Sequence, residues 1–214
     1  MNIELDEVEA RVVGCLIEKE ATTPDNYPLT VNALVNACNQ KTNRFPVVDY
    51  NEETVTNALD SLRDKNVVYV FFGGSSRVAK YKHLFPKILN LSYPEVAALC
   101  VLMLRGPQTP GEIKSRAARL YGFADIIHVE ETLRALRERD EALVVDLGRQ
   151  PGQKESRYAH LLCGEVEIPE SGIFAPTPTA AGSNRPDYRK EIDELKADVE
   201  ALKVEFEQFK SQFD

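Results

Sequence analysis

The string Asn39-Gln40-Lys41-Thr42-Asn43-Arg44 gathers side chains that can read nucleic acid: it is polar and carries two cations and no acid. Asn and Gln pair with an adenine edge, and Lys and Arg with guanine or phosphate. The same string also suits a plainer task, in which Asn side chains satisfy backbone groups at a helix end and in the turn that follows. Further along, Arg134 and Arg137 fall on the exposed side of an expected helix, with Glu130 and Glu138 four residues to either side of Arg134. Base reading and intrahelical ion pairing both fit that spacing. Arg77, Lys80 and Lys82, and again Arg149, Lys154 and Arg157, flank two glycine-containing turns. There they can meet phosphates or stand as solvated strand-edge charges. Thr56 and Asn57 complete the candidate nucleic-acid set, on a helix whose exposed positions also include Glu52, Glu53, Asp60 and Arg63. Three of those positions are acidic, which opposes a phosphate backbone.

Catalytic chemistry finds little support. The chain has no Gly-x-Ser-x-Gly, no Gly-x-x-x-x-Gly-Lys and no His-Glu-x-x-His, and His83, His128 and His160 fall in hairpins or at a helix start. Cys15, Cys38, Cys100 and Cys163 are widely separated, whereas structural zinc wants closely spaced ligand pairs. They read as reduced, mostly buried thiols. The expectation is a protein that binds rather than catalyses, with no metal and no cofactor.

The elements that position these residues occur twice. Asp6-x-x-Glu9 recurs 86 residues later as Ser92-x-x-Glu95, each a capping box before a helical apolar pattern. Proline-containing turns ending in Thr30 and Thr109 then cap a short second helix, expected over Asn32 to Asn39 and Gly111 to Leu120. A third helix begins after Asn51 and after Asp125, with core faces Val55, Leu59, Leu62 and Val129, Leu133, Leu136 at one spacing. Beyond it the period changes. NVVYVFF at 66–72 and ALVVDL at 142–147 read as strands, followed by polar turns and by VAKYKHL and SRYAHLL as return strands. Helix, helix, helix, strand, turn, strand is the order of a winged helix, with the hairpin as its wing.

The chain's 214 residues accommodate two small cores of roughly 75 to 90 residues each, plus a tail. No apolar run approaches the ~20 residues that span a bilayer, and the acidic start MNIELDEVEA lacks the basic and apolar regions of a secretory signal, so a cytoplasmic location is expected. The net charge of −8 divides into −2 over residues 1–90, 0 over 91–163 and −6 over 164–214. The globular part is therefore neutral enough to bind DNA but lacks a basic excess.

Residues 164–186, rich in Pro, Gly, Ser and Thr, read as an extended linker. From Tyr188 the apolar positions step by four and three through Ile192, Leu195, Val199, Leu202, Phe206 and Phe209. That seam suits a dimerising coiled coil, a helix folded back on its own chain, or the groove of a partner.

The string TTPDNYPLTVNALVNACNQKTNRFPV, with LDEVEARVVGCLIEK before it and VVDYNEETVTNALDSL after it, resembles the YceH family of bacterial proteins along essentially the whole chain. The resemblance implies tandem winged helices in a bacterial cytoplasmic protein and supplies no ligand or catalytic residue. The expected fold is mainly α with small antiparallel β hairpins (α+β). Winged-helix domains over 1–90 and 91–163 precede the linker at 164–186 and the amphipathic or coiled-coil helix at 187–214. The expected function is DNA binding in transcription regulation, with a protein-docking scaffold as the alternative. The expected partners are double-stranded DNA or a protein, no membrane, and a second copy of the chain paired through the tail helix or the winged-helix faces.

Overall fold

The computed structural model describes residues 3–72, 78–149 and 155–166. The protein is mainly helical with two small antiparallel two-stranded sheets. The first half contains α1 (Glu7–Thr22), α2 (Val31–Cys38), α3 (Glu52–Asp64), β1 (Val68–Phe72) and β2 (Ala79–His83). After one helical turn, α4 (Phe85–Ile88), the second half repeats the order with α5 (Tyr93–Arg105), α6 (Pro110–Ala117), α7 (Ile126–Arg137), β3 (Val144–Asp146) and β4 (Tyr158–His160).

Each helix except the single turn α4 starts where a side chain can satisfy its free N–H groups. Asp6 Oδ1 accepts from Glu9 N at 2.7 Å, and the Glu9 carboxylate accepts from Asp6 N at 2.7 Å. Thr30, Asn51, Thr109 and Asp125 accept in the same way from Ala33, Thr54, Glu112 and His128. At Ser92 the Glu95 carboxylate accepts from both the backbone N–H and the hydroxyl. Such caps contribute about 1 kcal/mol each. Val55, Leu59, Leu62, Val129, Leu133 and Leu136, all fully buried, contribute roughly 1.5–3 kcal/mol each, so packing decides which face of α3 and α7 turns inward and the caps decide where each helix begins. The helix α6 stops at Ala117, three residues short of the expected end, where the Leu120 and Tyr121 N–H groups both turn back to the Ala117 carbonyl.

The hairpins pair in equivalent registers, Val68 opposite His83 and Val144 opposite His160. A third segment joins each. Leu29 exchanges two backbone hydrogen bonds with Tyr81 (3.2 and 2.7 Å), and Gln108 exchanges two with Tyr158 (2.9 and 2.8 Å), each immediately before the cap of the second helix. Nothing in the pattern of residues signals this extra rung, because one residue pair carries no period.

The length allows for two cores, but the buried residues form one cluster running through both halves. Its seam is α1 against α5. Residues Glu9–Ile17 of α1 and Ala97–Leu104 of α5 are buried on every side, as expected for helices at the centre of a fold. Gly14 permits the approach: a Cβ there would lie 2.9 Å from Leu104 Cδ2, and the Cys100 thiol reaches the Gly14 carbonyl at 3.4 Å. Among the described residues no helix is long and apolar enough to cross a membrane. The expected linker and tail helix, with Ile192, Leu195, Val199, Leu202, Phe206 and Phe209, lie outside the described residues save for 164–166.

Candidate nucleic-acid interface

The third helices place their outer faces differently in the two halves. On α7, Val129, Thr132, Leu133 and Leu136 face the core, while Ile126, Ile127, Glu130, Arg134 and Arg137 are exposed. Neither arginine has a carboxylate within ion-pair distance among the described residues. Of the two readings open for Arg134, the pairing with Glu130 or Glu138 is not formed. Arg149 is exposed at the start of the second wing turn. Gly148 enters that turn with φ +71, and its N–H donates to Asp146 Oδ1 at 2.8 Å. Arg157 is held further in, against Glu112 at 2.7 Å and the Pro107 carbonyl at 2.9 Å.

On α3 the exposed face carries Glu52, Glu53, Asn57, Asp60, Arg63 and Asp64, and its cation pairs with Asp60 at 3.2 Å. The Thr56 hydroxyl donates to the Glu52 carbonyl at 2.8 Å. Its hairpin presents apolar side chains beside a cation: Tyr69, Phe71 and Phe72 are 58, 45 and 64% exposed, Lys82, opposite Tyr69, is exposed, and Lys80, opposite Phe71, is half-buried. Arg77 and Lys154 lie outside the described residues.

The loop after α2 divides between two tasks. Asn39 is a strut, its amide donating to the Tyr50 carbonyl and accepting from the Tyr50 N–H, both at 2.8 Å. Arg44, expected as a base or phosphate contact, turns inward and is 3% exposed. Its guanidinium donates to both Glu18 oxygens at 3.0 and 2.6 Å, to the Ala37 carbonyl at 3.1 Å and to the Asn43 carbonyl at 2.9 Å. Burial disfavours both charges of the Arg44–Glu18 pair, yet their mutual hydrogen bonds and charges prevail. The Glu18 carboxyl lies below its usual range and the Arg44 guanidinium above its own. A guanidinium engaged in this way cannot reach a base edge. Gln40, Lys41 and Asn43 line a cleft between the two halves, where Asn43, at φ +62, accepts from Arg105 Nη2 at 2.6 Å. The sequence reading passed over Lys19, Arg105, Arg116 and Arg119, which line the same cleft, because no local spacing links them.

These features define a class: a mainly helical protein of two similar halves, each with three helices and a hairpin, with exposed arginines on the second half's third helix and a cluster of cations lining the cleft. The chain belongs to the family described as "Protein of unknown function, DUF480", which matches residues 5–153, and its relatives are UPF0502 proteins. It is 47% identical over 220 residues to the UPF0502 protein of Pelobacter propionicus, covering all of both chains. It is 53% identical over 175 residues to that of Opitutus terrae, covering 81% of this chain and 76% of the other. With the UPF0502 protein YceH of Escherichia fergusonii it shares 46% identity over 220 residues, covering 100% of this chain and 96% of that one. The resemblance read from the TTPDNYPLT string is thereby confirmed.

Proposed function

We propose that this chain is a non-enzymatic DNA-binding protein of two winged helices in which the second half carries the reading surface. The order of helices and hairpins, and the rung that joins Leu29 to Tyr81 and Gln108 to Tyr158, support the winged-helix assignment. In that fold the third helix enters the major groove and the wing meets the backbone. The observation that carries the reading is the contrast between third helices. On α7 Arg134 and Arg137, with Arg149 in the wing, are exposed and without carboxylate partners among the described residues and are matched on the helix by the exposed Glu130 and Glu131, whereas α3 exposes four acids against Arg63, which Asp60 holds. The role is transcription control in the cytoplasm, by a protein paired with a second copy through its C-terminal segment or its winged-helix faces.

Fluorescence anisotropy with pooled genomic fragments tests the proposal. Binding is expected at about 100 mM salt and should weaken steeply as salt rises. The Arg134→Ala, Arg137→Ala double variant should lower the salt slope by about 2 if both contact phosphate, or relax sequence preference if either reads a base. No salt-sensitive retention of any fragment would sink the proposal. Loss of mass doubling after removal of residues beyond Pro186 tests the tail pairing.

The exposed Tyr69, Phe71 and Phe72 beside the acidic α3 favour a second reading, a protein partner docked on the first half. Recovery of one protein after nuclease treatment, lost on Phe72→Ser, would support it.

A further inference from the structure

The cleft between the halves has a volume of about 480 Å³ and is lined by the end of α1, the loop at 40–43, α5 and α6. That size falls within the roughly 300–1,000 Å³ of small-molecule sites. Five cations reach it: Lys19 and Lys41 from the first half, Arg105, Arg116 and Arg119 from the second. In a chain of net charge −8 this is a local inversion of sign.

The cations are poorly matched by acid. Glu18 is the carboxylate in the lining, and both its oxygens are engaged by Arg44, with Lys19 at 3.6 Å from one of them. Arg116 has Glu112 at 3.4 Å, but Arg157 holds the same carboxylate at 2.7 Å. Arg105 is half-buried and oriented by Asn43, with no carboxylate in ion-pair distance among the described residues. Burial, and then the nearby charge of Arg116, make the Arg105 guanidinium less basic than usual, and the opposing charge of Glu18 does not offset them. Lys41 and Arg119 stand exposed at the rim, without partners among the described residues.

Several guanidinium forks converging with a lysine match a multiply charged phosphate better than a single carboxylate, because each fork can take two oxygens and the total charge needs more than one negative charge to offset it. Val101, Leu104 and Leu120 add an apolar wall. We propose that the cleft binds an organic phosphate of nucleotide size, its phosphates held by Arg105, Arg119 and Lys41 and its body laid against Leu104 and Leu120. The ligand bridges both halves. The proposal is independent of the DNA reading, since Arg134, Arg137 and Arg149 do not line the cleft.

Isothermal titration calorimetry of the full chain decides it, with ATP as one probe and inorganic pyrophosphate as the other, both without divalent metal. ATP is expected to bind, and the Lys41→Ala, Arg119→Ala double variant to weaken it at least about tenfold, ~1.4 kcal/mol. Both side chains are exposed, so circular dichroism should show the variant folded as the parent is. The Arg134→Ala, Arg137→Ala variant should bind ATP as the parent does. No heat with either probe up to about 1 mM overturns the proposal. Unchanged ATP affinity in the Lys41, Arg119 variant overturns the site, and pyrophosphate binding as tightly as ATP overturns the organic body. Duplex DNA binding measured on the same variants separates the two claims: loss of DNA but not of ATP binding at Lys41 and Arg119 would assign the cleft to the DNA backbone and overturn this inference.

Discussion

Replacing Arg44 by Ala tests whether the loop after α2 holds the fold together or meets nucleic acid. The Arg44 side chain is 0% exposed and that of Glu18 is 17%, so the pair belongs to the buried regime, in which removing one partner strands the other charge at a cost of about 3–5 kcal/mol. The Ala37 and Asn43 carbonyls lose a donor as well, a loss that overlaps with the first and does not simply add. At about 2–4 °C per kcal/mol for a folded unit of this size, Tm should fall by about 6–20 °C. The effect depends on pH. In the parent, Glu18 titrates below its unfolded value of about 4.3, so its contribution is fully present above that pH and is lost as pH falls through the depressed folded value. In the variant burial still raises the Glu18 pKa, and of the groups that lower it only the more distant charges of Lys19 and Arg105 remain. The gap between parent and variant should therefore be widest near pH 7 and narrow below about pH 4. Replacing both partners, Arg44→Met with Glu18→Leu, should recover most of the loss, since two apolar groups leave no stranded charge. Thermal unfolding followed by circular dichroism at both pH values gives the readout, with DNA binding measured in parallel. A Tm within about 2 °C of the parent together with weakened DNA binding would refute the inward assignment of Arg44.

Two further substitutions probe the shared core and its edge. Gly14→Val forces new methyl groups against Leu104 and Met103, where even a single Cβ would already lie 2.9 Å from Leu104 Cδ2. It should cost about 2–3 kcal/mol, seen as a lower urea midpoint with an unchanged m-value. Burial lowers the His160 pKa to about 4, and its Nδ1 has no partner among the described residues. The imidazole thus stays neutral in the fold while the unfolded chain protonates near 6.5, so its contribution is present above about pH 6.5 and is lost as pH falls toward 4. His160→Phe should flatten that window by up to about 3 kcal/mol, and an NMR titration that places the parent's His160 near 6.5 would refute the assignment.

What the sequence determined by itself is what depends on residues within one or two turns of each other. A cap needs an acceptor two or three residues before the N–H it satisfies, so Asp6, Thr30, Asn51, Thr109 and Asp125 were legible as helix starts. The apolar triplets of α3 and α7 were legible because burial of a helix face repeats every three or four residues. Tertiary structure decided whatever needed a partner from far along the chain. Arg44 reads as exposed in a polar loop until Glu18, 26 residues earlier on α1, meets it. Arg134 has Glu130 and Glu138 at the right spacing, yet pairs with neither. The union of two expected cores into one follows from α1 and α5 lacking a polar face, a signal present in the run Ala97–Leu104 but silent about its partner. The cleft is the extreme case: its cations lie on four separate segments, and only the packing of α1 against α5 brings them to one surface. Local physics sets where elements begin and which side is apolar, whereas the use of each charge is set by the dielectric and the neighbours that folding supplies.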